Sequence, residues 1–110
     1  MVKFNEIIHQ SVRLRIMAIV TALGPEVQVT FNYLKSMLEL TDSNLGAHLH
    51  KLEEAGYVKI TKTFVRNKPQ TYIKATPEGR VAFAEHSEAL KEILESSQYL
   101  AAQRTLNQEV

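Results

Sequence analysis

Hydrophobic and polar positions follow two different periods along this chain, and the change of period divides it into elements. Phe4, Ile7 and Ile8 stand at helical spacing and predict a short opening helix. Ser11 is a preferred cap for a second helix, whose apolar Val12, Ile16, Ile19, Val20 and Leu23 recur on one face. Gly24-Pro25 stops it. Val27 and Val29 alternate with polar neighbours, the pattern of a short strand. Thr30 then caps a helix that buries Phe31, Leu34 and Leu38.

The run Thr41-Asp42-Ser43-Asn44 is a cluster of cap-forming residues, and either Thr41 or Ser43 suits the cap position. Leu45, Leu49 and Leu52 follow at spacings of four and three, a narrow buried stripe, and Gly56 closes the helix. Two helices joined by a turn of about three residues form a helix-turn-helix candidate. After Gly56 the period falls to two. Val58 and Ile60 alternate with Lys59 and Thr61, and the strand formers Thr63, Phe64 and Val65 continue the pattern. Arg66-Asn67-Lys68-Pro69 is a polar break, and Thr71-Tyr72-Ile73-Lys74-Ala75 returns as a second strand, giving a hairpin with a basic tip. Thr76-Pro77-Glu78 supplies a cap, a first-turn proline and an early acid for a last helix. That helix carries a looser apolar seam of Phe83, Leu90, Ile93, Leu94, Leu100 and Ala101.

Composition narrows the classes this pattern can serve. A length of 110 residues suits one domain, and its 45% hydrophobic and 23% charged content are ordinary for a globular one. A domain this small buries a limited share of its surface, so self-association would add stability. There is no cysteine, which excludes disulfides and thiolate metal sites. No apolar run approaches the roughly 18 residues of a membrane span, and Met1-Val2-Lys3-Phe4-Asn5-Glu6 lacks the form of a secretory leader, so a cytoplasmic protein without a membrane partner is expected. The net charge of +1 conceals an asymmetry. Residues 41–77 carry a net +3, from Lys51, Lys59, Lys62, Arg66, Lys68 and Lys74 against Asp42, Glu53 and Glu54, whereas residues 78–110 carry a net −3. A basic middle beside an acidic end suits a polyanion on one surface only.

The residues themselves carry a resemblance. The run Leu40-Thr41-Asp42-Ser43-Asn44-Leu45-Gly46-Ala47-His48-Leu49-His50-Lys51-Leu52-Glu53-Glu54-Ala55-Gly56-Tyr57-Val58 resembles the recognition segment of winged-helix regulators related to the ArsR and MarR groups. Lys68-Pro69-Gln70-Thr71, Thr76-Pro77-Glu78-Gly79-Arg80 and the upstream Val12-Arg13-Leu14-Arg15-Ile16-Met17 are similar to the same group, so the likeness runs over about residues 9–85. It implies an α+β fold, mainly α: a winged helix-turn-helix with a two-stranded β-wing and a long C-terminal dimerisation helix. Residues 1–78 would be the DNA-binding unit with its N-terminal helix, and residues 79–110 the dimerisation helix. The implied activity is transcriptional regulation, most simply repression, by a homodimer on double-stranded DNA. Two departures limit the transfer. Gly46 and Ala47 stand where relatives often have serine and a basic residue, and without cysteine or a compact His/Asp/Glu cluster no metal or other cofactor is implied. The sequence names no small-molecule effector.

At about 100° per residue, the leucine stripe turns Ser43, Ala47, His50 and Glu54 outward, with Asn44 and Lys51 on the flank. The expected DNA contacts on this helix are Thr41, Ser43, Asn44, Ala47, His50 and Lys51, with Glu54 leaving the groove. On the wing they are Lys62, Arg66, Asn67 and Lys68, aimed at phosphates or the adjacent minor groove. An amphipathic core helix and a solvated turn would show the same pattern, and it is their conjunction that points to DNA. The expected dimer seam comprises Phe83, Leu90, Ile93, Leu94 and Leu100, joined by Phe4, Ile7 and Ile8. His48 and His50 diverge on a helix and cannot share a metal; His48 and His9 read as structural, and His86 as a seam residue able to meet its mate across a dimer axis. No nucleophile–base set or phosphate-binding glycine loop appears, so an enzyme is not expected.

Overall fold

Gln10, not Ser11, opens the first helix. In the computed structural model, which describes residues 4–108 and the side chains through Gln98 with those of Ala101, Ala102 and Arg104, the Gln10 Oε1 accepts from the Arg13 N–H at 2.9 Å. A longer side chain reaches the same orphan donor that Ser11 was expected to satisfy. Helix α1 spans Ser11–Ala22, strand β1 Val29–Thr30, helix α2 Phe31–Leu38 and helix α3 Asp42–Glu54. Strands β2 (Val58–Val65) and β3 (Lys68–Ala75) form the hairpin, and helix α4 runs over Pro77–Gln108.

The expected opening helix is a single turn. The His9 N–H bonds to the Asn5 carbonyl at 2.8 Å and the Asn5 Oδ1 accepts from the Ile8 N–H at 3.0 Å, after which the chain passes straight into α1. That turn contributes Ile8 to the core. Ile8 is fully buried among Ile16, Met17, Leu34, Leu45, Leu49, Leu52 and Ile73. Its expected place in a dimer seam is therefore corrected, because it has no surface left for a second chain. Ile7 and Phe83 also pack partly buried against this core.

The sheet has three strands in the order β1-β3-β2, all antiparallel, so the wing gains a short third strand on its inner end. The hairpin is tighter than the polar break suggests. Only Arg66 and Asn67 lie outside the strands, both with positive φ (52° and 65°), the two-residue turn whose twist matches that of the flanking strands. Lys68 and Pro69 belong to β3. Pro69 is tolerated because Val65↔Lys68 is the closing, hydrogen-bonded pair, so the next pair, Phe64↔Pro69, needs no N–H from the proline.

Helix α3 ends in a Schellman arrangement: the Tyr57 N–H bonds to the Leu52 carbonyl and the Gly56 N–H to the Glu53 carbonyl, both at 2.9 Å, with Gly56 at φ +82°. The exit of α3 is then clamped to the start of α4. The Thr76 Oγ1 donates to the Gly56 carbonyl at 2.6 Å and accepts from the Gly79 N–H at 2.9 Å, while the Thr76 N–H bonds to the Tyr57 carbonyl at 3.0 Å. One turn on, the Arg80 guanidinium donates to the carbonyls of Thr21, Leu23 and Gly24 at 2.8–3.1 Å, satisfying the orphan end of α1.

The first half of α4 lies on the body and buries Ala89 and His86. His86 is 0% exposed, and its Nδ1 accepts the Asn5 N–H at 3.0 Å. Its ring contacts Phe4 (4.8 Å between centroids) and His9 (5.3 Å) edge-on. The reading of His86 as a residue meeting its mate across an axis is thus overturned: the ring is enclosed by its own N-terminal turn. From Lys91 to Gln98 every side chain of α4 is exposed, because the helix has outrun the body.

Two glycines give opposite expectations. A Cβ on Gly79 would lie 2.0 Å from the Tyr57 carbonyl oxygen, whereas one on Gly46 would meet nothing within 4 Å. Gly79→Ala should cost more than about 2 kcal/mol of unfolding free energy, because backbone must move. Gly46→Ala should stabilise by roughly 0.5–1 kcal/mol, the ordinary helix-interior gain. Urea unfolding of both variants checks the pair.

Candidate nucleic-acid interface

Thr41 is the cap of α3: its Oγ1 accepts the Asn44 N–H at 3.1 Å, which decides between Thr41 and Ser43. The turn before it holds Glu39 to Thr41 only, with Glu39 in the left-handed region (φ 53°), so α2 and α3 are rigidly joined. Leu45, Leu49 and Leu52 are buried, and Ser43, Asn44, Ala47, His50, Lys51 and Glu54 are all exposed. The helix thus presents a polar face made of the residues expected from its period, and Asp42 in the first turn suits the positive end of its dipole.

The other flank of α3 faces the wing across a cleft of about 640 Å³. Its walls are Asp42, Gly46, His50 and Glu53 from α3, Phe31 from α2, and Ile60, Lys62 and Thr71 from the hairpin. Lys62 and His50, expected from separate segments, therefore line one space. Arg66, Asn67 and Lys68 stand apart from it at the exposed hairpin tip.

Sequence reasoning missed how acidic the cleft is. Asp42 and Glu53 look into it, and Lys35 of α2 holds the Asp42 carboxylate at 2.8 Å. Glu54, expected on the same outward face, pairs with His50: its Oε1 lies 2.5 Å from the His50 Nε2, both side chains mostly exposed. The i,i+4 spacing of His50 and Glu54 was the available signal. An exposed pair of this kind contributes little to stability, but it partly cancels the attraction of His50 for a phosphate.

His48, by contrast, leaves the interface. The Arg13 Nη1 lies 3.2 Å from its Nδ1, and the same guanidinium donates to the Ile7 carbonyl, so Arg13 ties α1, the N-terminal turn and α3 together. Burial, and then the Arg13 charge, hold the His48 pKa below its ordinary value. Burial first and His9 second do the same for His86. Among the described residues no group of three or more His, Asp or Glu is placed to hold a metal ion, and no helix is long and apolar enough to cross a membrane.

A turn-linked helix pair, a three-stranded hairpin sheet beside the second helix and a long C-terminal helix define the winged-helix class of DNA-binding proteins. The chain belongs to the winged helix DNA-binding domain family, whose model matches residues 12–94. An uncharacterised protein of Methanocaldococcus jannaschii is 42% identical over 92 residues, covering 84% of this chain and 94% of its own. A transcriptional regulator homologue from Pyrococcus horikoshii superposes with a TM-score of 0.74 at 28% identity, over 84% of this chain and 88% of that one. HlyU from Vibrio cholerae shares the fold, with a TM-score of 0.54 at 20% identity over 80% and 84% of the two chains.

Buried His86 and partly buried His48 predict a pH dependence of known sign. Both have folded pKa values below the ordinary 6.5, so between the folded and unfolded values the unfolded chain binds more protons. Stability should be level above about pH 6.5 and fall as the pH drops below it. In His86→Gln, whose amide oxygen can still accept the Asn5 N–H, part of that slope should vanish. Melting temperatures of both proteins between pH 7.5 and 5 measure it.

Proposed function

We propose that this protein is a sequence-specific, double-stranded-DNA-binding transcriptional regulator, most simply a repressor, that works in the cytoplasm as a homodimer and has no catalytic activity. The observation that carries the reading is the exposed polar face of α3 beside a basic hairpin tip, in a chain of a DNA-binding family. Asn44 suits an adenine edge; Ser43 and His50 suit base acceptors or phosphate; Lys51 suits guanine or backbone. Thr41 and the first N–H groups of α3 suit a phosphate, and Ala47 allows close approach. Lys62, Arg66, Asn67 and Lys68 supply sequence-tolerant affinity from the wing.

Dimerisation is supported by the overhang of α4. Ile93 and Leu94 are 48% and 61% exposed, and Ile93 continues the face that carries His86, Ala89 and half-buried Leu90. Phe4 is 39% exposed beside His86 of the same helix, whereas the side chain of Leu100 lies outside the described residues. We assign residues 1–78 to DNA binding and residues 79–110 to dimerisation on this basis. The acidic lining of the cleft and the missing contacts at Gly46 and Ala47 favour one alternative, a winged-helix module that binds a protein partner.

Binding to a selected duplex and to scrambled DNA, across a salt series, separates the two. Asn44→Ala or His50→Ala should cost roughly 1–3 kcal/mol on the selected site with unchanged melting, and full retention of preference by both would defeat the reading. Arg66→Ala with Lys68→Ala should weaken all sequences alike and lower the salt slope by about two. A dimer should favour an inverted repeat with half-sites about one helical turn apart. Ile93→Asp with Leu94→Asp should give folded monomers in sedimentation, since neither side chain is in the core of its own chain.

A further inference from the structure

The wing carries an apolar side chain that its own fold does not use. Alternation along β2 sets Val58, Ile60, Lys62 and Phe64 on one face, and the register places Ala75, Ile73, Thr71 and Pro69 beside them in that order. The first two pairs cover the core, where Val58, Ile73 and Ala75 are buried. The third pair, Lys62 with Thr71, lines the cleft opposite α3. The fourth, Phe64 with Pro69, comes next along that same face, and Phe64 is 73% exposed, the most exposed large apolar side chain among the described residues. A cross-strand contact with proline gives a hairpin tip modest stability and does not require an aromatic ring there.

We propose that Phe64 is a DNA contact that enters the minor groove beside the segment read by α3, with Arg66 and Lys68 on the phosphates that flank it. The inference rests on the DNA-binding reading and deepens it. Phe64 shares its ribbon face with the cleft-lining Lys62, so a duplex held against α3 meets the ring from the same side. Lys62 stands on the ring's own ribbon face, Lys68 on the opposite face and Arg66 in the turn beyond, so cations lie on both sides of a narrow tip that carries an apolar probe, which is charge complementarity to two phosphate strands. A side chain without hydrogen-bonding groups cannot read base identity directly. It acts by leaning on sugars and base edges or wedging a step, and so favours sequences whose groove width or stacking yields cheaply.

The chain has no tryptophan, so Phe64→Trp creates a single fluorescent reporter at this position. With the selected duplex its emission should shift to the blue and become protected from a soluble quencher. A minor-groove-binding dication on the flanking A·T segment should abolish that shift. Phe64→Ala should melt like the parent, bind the duplex about tenfold more weakly, and keep the parent salt slope because no phosphate contact is lost. If the parent binds DNA and Phe64→Ala binds equally well, or if the tryptophan emission stays unmoved in the complex, this inference fails alone. A blue shift on phosphatidylglycerol vesicles and none on DNA would assign the ring to a lipid surface and overturn it. A parent chain that binds no duplex overturns both readings together.

Discussion

The fold is organised around one close crossing, where the chain leaving α3 meets the chain starting α4. The Tyr57 carbonyl lies against Gly79 so closely that no side chain fits there, and the Thr76 hydroxyl bridges the Gly56 carbonyl and the Gly79 N–H. Because β2 begins at Val58 and β3 ends at Ala75, this knot ties off both ends of the hairpin as well as both helices. The relation between the α3 face and the wing is therefore set by backbone contacts and one short side chain, Thr76, held by two hydrogen bonds. Arg80 extends the same lock to the end of α1 through three carbonyls. A loosened crossing would leave the secondary elements intact and the interface misaligned.

Polar side chains inside the body act as connectors between elements distant in sequence. Asn5 donates through its backbone N–H to His86 and through its Nδ2 to the Tyr57 hydroxyl at 2.8 Å, joining the N-terminal turn to α4 and to the crossing. The backbone N–H can only donate, so the His86 Nδ1 must be free of a proton and the ring neutral. Its Nε2 is then the protonated nitrogen, and it is buried without a hydrogen-bond partner among the described residues. Such a group costs free energy, which the surrounding apolar contacts must offset. Arg13 and His48 form the equivalent link between α1 and α3. Both histidines spend their chemistry on holding helices together.

The outer face divides its charge unevenly. Lys35 neutralises Asp42 and His50 faces Glu54, so the cleft side of α3 is less attractive to phosphate than a count of cations implies. At the exposed wing tip Arg66 and Lys68 have no carboxylate partner among the described ion pairs. In the DNA-binding reading this division gives general affinity to the wing and leaves discrimination to Asn44, His50 and their neighbours.

Periodic burial is a local property, and what depended on it was legible in the sequence. The leucine stripe of α3, the cap at Thr30, the alternating strands and the start of α4 at Pro77 all follow from spacing and from backbone groups a few residues away, whereas the choice of Thr41 over Ser43 came from the structure. The family likeness was legible in the same stretch. Distances across the chain were not legible, because they depend on which elements meet. The structure alone placed Ile8 inside the core and turned His86 inward against Asn5. It also decided which apolar residues remain outside: Ile8 and Ile93 read alike in a hydropathy pattern. Ile8 sits on a turn folded against the core, whereas Ile93 sits where α4 has run past the body, and only what each segment packs on separates the two.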